Sequence, residues 1–262
     1  MQSPGKNLFL RRLLPALCLL VVFCSPAPVA AETSRERAHR ILAEIDDLWR
    51  ADSSSSVLSM QVVTAHYTRT VRMECWTLGK DKSLIRIVSP LKEKGTITLK
   101  SGNVVYTYLP KTDRTIRLTS SMMLGSWMGS HFTNDDLVKE SRLAEDYDPE
   151  LVFEGERDGR RIIEFSLVPK PEAPVVWGKI ATTVLADGYL PLLSRYYDED
   201  GVLARTITFS DIKEMGGRRL PAVMRVVPAD KPGEFTEMVY EKISFGLDLD
   251  DSFFSLQELR RR

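Results

Sequence analysis

From Thr33 to about Arg50, the apolar residues Ala38, Ile41, Leu42, Ile45, Leu48 and Trp49 recur every three or four positions, with charged residues between them. That spacing predicts one amphipathic helix. Residues 52–56 read as a polar loop. Beyond it the period changes to two, most clearly where Val71, Met73 and Cys75 alternate with Arg72, Glu74 and Trp76. Strands are expected near 57–65, 67–79, 83–89, 95–101, 103–109 and 113–118. The breaks carry turn residues, such as Ser101-Gly102-Asn103 and Pro110-Lys111-Thr112-Asp113. Connections this short favour antiparallel neighbours, because a parallel crossover needs a dozen or more residues.

The alternation fails between Ser120 and Asp148. There Met122, Met123, Leu124, Trp127, Met128 and Phe132 crowd around Gly125 and Gly129, and Thr133 or Asn134 is placed to cap a short helix through Lys139. Strands resume near 150–155, 161–168, 176–186, 191–198, 202–211, 219–228 and 235–245, with Asp158-Gly159, Asp187-Gly188, Asp200-Gly201 and Gly216-Gly217 as hairpin signals. Phe253, Phe254 and Leu256 are expected to dock as an apolar plug ahead of the charged Arg260–Arg262 tail. The pattern as a whole predicts a mainly β (α+β) domain built on one large curved antiparallel sheet.

The first residues follow another pattern. Lys6, Arg11 and Arg12 precede an apolar run from Leu13 to Phe23, then Ser25, Pro26, Ala27 and Pro28, which is the layout of a secretory signal. The run contains Pro15 and falls short of the roughly twenty apolar residues of a bilayer span. Val29 and Ala31 are the small residues a signal peptidase accepts, so residues 1–31 are expected to be removed, leaving a periplasmic domain over 32–262. A membrane-anchored lipoprotein would instead use Cys24, but Phe23 stands where lipid modification favours a small residue. Cleavage would leave Cys75 without a disulfide partner in the chain. It would also leave 33 basic against 36 acidic residues, a net charge of −3, and nothing that points to nucleic acid.

Reactive chemistry is sparse. His39, His66 and His131 are scattered without metal-ligand spacing, so no metal and no cofactor are expected. Gly125-Ser126-Trp127-Met128-Gly129 places its serine directly after the first glycine and is not a nucleophile elbow. Asp248, Asp250 and Asp251 lack the glycine and glutamate of a calcium loop. Cys75, in phase with Val71 and Met73, reads as a small core residue. What remains is the methionine- and tryptophan-rich interruption. It either caps one end of the core or forms a lid over an apolar pocket, methionine being suited to surfaces that re-pack.

Three stretches carry a resemblance to a known family: Arg86–Thr96, with Ser89-Pro90-Leu91-Lys92-Glu93-Lys94-Gly95; Val105–Pro110, followed by Arg114 and Arg117; and Gly129–Leu137. They resemble the outer-membrane lipoprotein-sorting family, the LolA-like periplasmic proteins, in a poorly characterised branch. The resemblance implies an incomplete β-barrel, strongly curved, with covering helices over an apolar cavity that receives acyl chains. The leading helix and residues 120–140 would be the covers. Met122, Met123, Leu124, Trp127, Met128 and Phe132 are then lid candidates, with Met73, Trp76, Tyr106 and Trp177 as sheet-side lining. This chain has His131 where an acidic residue is common in that branch, and no arginine matches the lid-latching one of the carriers. The implied partners are a lipid or acylated lipoprotein and an inner-membrane transporter. Two functions stay open: a non-catalytic acyl-chain carrier and an accessory module of a membrane export pump. An enzyme is disfavoured, since no nucleophile, base and orienting group can be assembled.

Overall fold

The computed structural model describes residues 1, 2, 32–139 and 142–259. Apart from its first two residues, the expected signal segment lies outside that range, as do Cys24 and the Arg260–Arg262 tail. Helix α1 spans Ser34–Asp46. Thr33 and Glu36 start it with a reciprocal pair: Thr33 Oγ1 accepts the Glu36 N–H at 3.2 Å, and Glu36 Oε2 accepts the Thr33 N–H at 2.8 Å. Ala38, Ile41, Leu42 and Ile45 form its buried stripe. The helix stops short of Arg50 and gives way to turns, yet Trp49 still reaches the core, stacked between Phe209 and Tyr240.

Thirteen strands follow, as the alternation predicts. They are β1 (Ser53–Val63), β2 (Thr68–Leu78), β3 (Lys82–Ser89), β4 (Ile97–Ser101), β5 (Val104–Leu109) and β6 (Arg114–Arg117), then β7 (Tyr147–Arg157), β8 (Arg160–Pro169), β9 (Lys179–Leu185), β10 (Pro191–Tyr197), β11 (Leu203–Met215), β12 (Arg218–Pro228) and β13 (Phe235–Phe245). They form one antiparallel sheet in the order β6-β5-β4-β3-β2-β1-β13-β12-β11-β10-β9-β8-β7. Each half is a meander, and the halves join in the middle where β1 pairs with β13. The sheet does not close, because β6 and β7 lie at opposite edges. Residues 118–146 connect those two edges and contribute the short helices α2 (Asn134–Lys139) and α3 (Leu143–Asp146).

One expectation fails at the start of the sheet. Ser53–Ser56, read as loop, belongs to β1. Its hydroxyls find internal partners, so the strand can bury them: Ser54 Oγ bonds Trp49 O at 3.1 Å and Thr77 Oγ1 at 2.7 Å, and Ser53 Oγ donates to Leu247 O at 2.8 Å.

The register sorts the strand residues by face. Met60, Met238, Met224 and Phe209 form one cross-strand row, and Arg205, Tyr196 and Ile180 another on the same side. Against this face lie α1 and residues 126–138. The opposite face of β2–β5 carries Leu84, Ile97, Leu99 and Tyr108, closed by Phe253 and Phe254. Leu256, expected in that plug, is exposed instead.

Candidate functional site

The sheet's covered face encloses a cavity of about 170 Å³. Leu58, Met73, Cys75, Ile85, Phe209, Met224 and Met238 supply its apolar floor, while Leu42, Ile45 and Trp49 close it from the α1 side. Trp127 and Phe132 cover it from above, both buried, and the Trp127 indole donates to Thr98 Oγ1 at 3.3 Å. The chain folds here as a narrow loop: Ser126 bridges to Thr133, and the Trp127 N–H donates to Phe132 O at 2.8 Å.

Several side chains tie this cover down. Tyr67 donates to Gly129 O at 2.6 Å and Arg69 to Met128 O. Gly129 has φ +65, a conformation that favours glycine, and a Cβ there would lie 3.0 Å from the Tyr67 hydroxyl. His131 is clasped on both ring nitrogens, by Thr236 Oγ1 at 2.9 Å and Glu234 Oε2 at 3.0 Å. Glu234 also accepts the Ala65 N–H at 2.9 Å, and this bond together with His131 holds its carboxyl below the usual range. His131 thus has a polar role in fastening the cover.

The strongest tie is deeper. Thr133 Oγ1 accepts the Asp136 N–H at 3.2 Å, starting α2 and aiming the Asp136 carboxylate inward. Arg205 of β11 meets it with a two-pronged pair, Nη1 and Nη2 at 2.7 and 2.6 Å from the two carboxylate oxygens. The guanidinium lies 4.5 Å from the ring centres of both Trp177 and Tyr196. Burial alone would lower the Arg205 pKa, but the charge and hydrogen bonds of Asp136 outweigh it and leave the pKa raised. Desolvation likewise pushes the Tyr196 phenol up to about 12.

Asp46, at the end of α1, adds a second buried carboxyl. Its two oxygens accept the Leu143 and Ala144 N–H groups at 3.2 and 3.1 Å, fastening α1 to α3. Burial nevertheless pushes its carboxyl up to about 7, against the pull of Ala144, Lys80 and Leu143.

The cavity brings together Met73, Trp127, Phe132 and Trp177 from among the expected residues. Met128 packs against the same core cluster without bordering the cavity. Met122 and Leu124 are exposed, Met123 is half-buried, and none of the three borders it; Leu124 edges a second, more open hollow beside Lys231. Trp76 and Tyr106 stand on the opposite face, under Phe253 and beside Leu99. Sequence reasoning missed Arg205 and Asp136. One signal was there: Arg205 alternates in phase with Ile207 and Phe209, and a cation on an apolar face must have a partner. Among the described residues, no group of three or more His, Cys, Asp or Glu side chains is placed to hold a metal.

The family model that matches residues 79–261 describes an uncharacterized protein. No curated protein matches the chain. Solved structures share its fold, three of them over most of the chain. A DUF1329 family protein from Desulfovibrio piger superposes with a TM-score of 0.77 at 23% identity, over 86% of this chain and 99% of that one. A domain classed with outer membrane lipoprotein-sorting proteins, from Vibrio parahaemolyticus, gives 0.75 at 23%, over 87% and 100%. A LolA superfamily protein from Nitrosomonas europaea gives 0.71 at 22%, over 84% and 98%. The open, curved antiparallel sheet is thus a LolA-like half-barrel.

Proposed function

Given that the chain belongs to the family of uncharacterized proteins whose model spans residues 79–261 and has a LolA-like fold, we propose that it is a periplasmic carrier that shields an acyl chain without catalysing a reaction. The observation that carries this reading is an apolar cavity roofed by a loop that packs Trp127 and Phe132 over it and is fastened by polar ties. A cavity near 170 Å³ accommodates a small apolar group, since a void of about 150 Å³ takes a benzene. A longer chain therefore enters only if residues 126–138 swing away from the sheet.

The energetics allow it. Separating a buried ion pair costs on the order of 3–5 kcal/mol. Burying acyl carbon returns about 0.8 kcal/mol per CH₂, so about six methylenes offset the loss of the Asp136–Arg205 contact, and further methylenes must take the place of Trp127 and Phe132 in the core. A shorter ligand would leave the cover shut. The leader-like residues 1–31 and the lipoprotein-sorting neighbour support a place between two membranes, with a lipid or acylated lipoprotein as cargo and an inner-membrane transporter as its donor.

Titration with a fluorescent fatty acid tests this. The unaltered protein is expected to bind it saturably. Met224→Lys, which puts a charge on the cavity floor, is expected to weaken binding at least tenfold while the β-sheet circular dichroism is retained. Absence of saturable binding by the unaltered protein, or equal binding by a folded Met224→Lys variant, would refute acyl-chain carriage.

A further inference from the structure

Two turns at one end of the sheet carry charge that the cavity does not use. Residues 90–96 join β3 to β4, and residues 110–113 join β5 to β6. The turns touch, since a Cβ on Gly95 would lie 3.2 Å from Pro110 Cγ. Lys92 and Lys94 on the first, and Lys111 and Arg114 at the second, are all exposed, and none of these cations makes an ion pair among the described residues. The acids beside them are engaged: Arg69 Nη1 holds Glu93 at 2.6 Å, and Asp113 accepts the Tyr108 hydroxyl at 3.2 Å. A positive excess remains. At the tip of the first turn stands Leu91, 84% exposed, the most exposed large apolar side chain of the folded domain among the described residues.

The positive charge is local. Asp198 and Asp200 lie on the β10–β11 turn and Asp230 on the β12–β13 turn, several strands away in the sheet order. An interface with a folded protein wants contiguous apolar surface and well-matched polar partners. A single leucine among long, unpaired cations offers neither. An anionic bilayer suits it better, because its surface supplies diffuse negative charge with an apolar layer just beneath.

We infer that this corner docks the protein on the surface of an anionic bilayer, with Leu91 entering the headgroup layer and Lys92, Lys94, Lys111 and Arg114 facing lipid phosphates. The docking surface adjoins one fastening of the cover: Arg69, which holds Glu93 in the Leu91 turn, also donates to Met128 O. Docking goes beyond acyl-chain carriage and stands without it, since residues 91–94 do not border the cavity.

The test is flotation with vesicles of equal parts phosphatidylglycerol and phosphatidylcholine, and with vesicles of phosphatidylcholine alone. It uses the chain from Glu32, a compact unit by itself, so that the basic, apolar leader cannot bind lipid. Each cation near an anionic surface strengthens partition about fivefold, so the mixed vesicles should bind at least about tenfold more tightly, and less so as salt is raised. Lys92→Glu/Lys94→Glu is expected to lower partition onto them at least about tenfold, and Leu91→Ser about threefold or more. Both variants should take up a fluorescent fatty acid as the unaltered protein does. Equal partition onto the two kinds of vesicle, or an anionic preference undiminished in Lys92→Glu/Lys94→Glu, would overturn the assignment. So would absence of binding to either, which would leave an acidic protein surface as the partner of these cations. Failure of the fatty acid to bind the unaltered protein would count against carriage alone. Should Lys92→Glu/Lys94→Glu fail to fold, Lys111→Glu/Arg114→Glu on the neighbouring turn decides: the same loss is expected, and an undiminished preference would overturn the docking.

Discussion

Two carboxylates, Asp136 and Asp46, fasten different parts of the cover, and they differ in the groups that face them. Asp136 faces a cation and stays a strong partner for Arg205. Asp46 has only N–H donors and a more distant lysine, and burial wins, moving its carboxyl from 3.8 to about 7. The sign follows from linkage. A carboxyl that holds its proton more tightly in the folded state contributes stability that is complete below its unfolded value, near pH 4, and is lost as pH rises through about 7. Stability should thus fall by up to roughly 1 kcal/mol per pH unit between pH 5 and 7 on account of this group. Urea unfolding at pH 5 and pH 8 checks it: Asp46→Asn is expected to be less stable than the unaltered protein at pH 5, having lost one acceptor, and to show a shallower pH dependence. An unchanged slope would show that Asp46 is ionised across the whole range. For the second carboxylate, Asp136→Asn should speed amide exchange across residues 126–138 while leaving β11–β13 protected, because the cover would lose its charged tie and the sheet would keep its ladder.

At the scale of elements, α1 owes its position to a capped start and an apolar stripe rather than to its length. Thr33→Ala removes the cap and should cost about 1 kcal/mol in a urea or thermal melt. Ile41→Ala, at a fully buried position against β8 and β9, should cost about 2–5 kcal/mol. If Thr33→Ala proves the more damaging of the two, capping and not burial holds the helix. The helix and the thirteen strands were legible from periodicity and turn residues, although β4, covered on both faces, does not alternate in burial. Ser53–Ser56 were not, because four serines carry no alternation and only long-range partners such as Thr77 and Leu247 make a strand of them. Period two shows that Met73 and Trp76 point to opposite sides but not which side is roofed. Their fates, cavity floor for one and C-terminal plug for the other, depend on where residues 126–138 and 253–254 come to rest. The Arg205–Asp136 pair spans 69 residues, a distance at which spacing carries no information.

For the molecule as a whole, an unclosed sheet is what makes a roofed cavity possible. A closed barrel would have no free edges for residues 118–146 to join, whereas here that segment runs from β6 back to β7 and lays Trp127 and Phe132 over the covered face on the way. The sheet supplies a rigid floor, and the cover is held by polar ties and by the packing of Trp127 and Phe132 rather than by a strand ladder. Carriage of an acyl chain follows from that division, and one measurement bears on it most directly: mass spectrometry of organic extracts from protein purified without detergent from its native host. Acyl lipid in near-equimolar amount, depleted in Met224→Lys, is the expected result. Repeated preparations free of lipid, from protein that also fails to take up an added fatty acid, would contradict it.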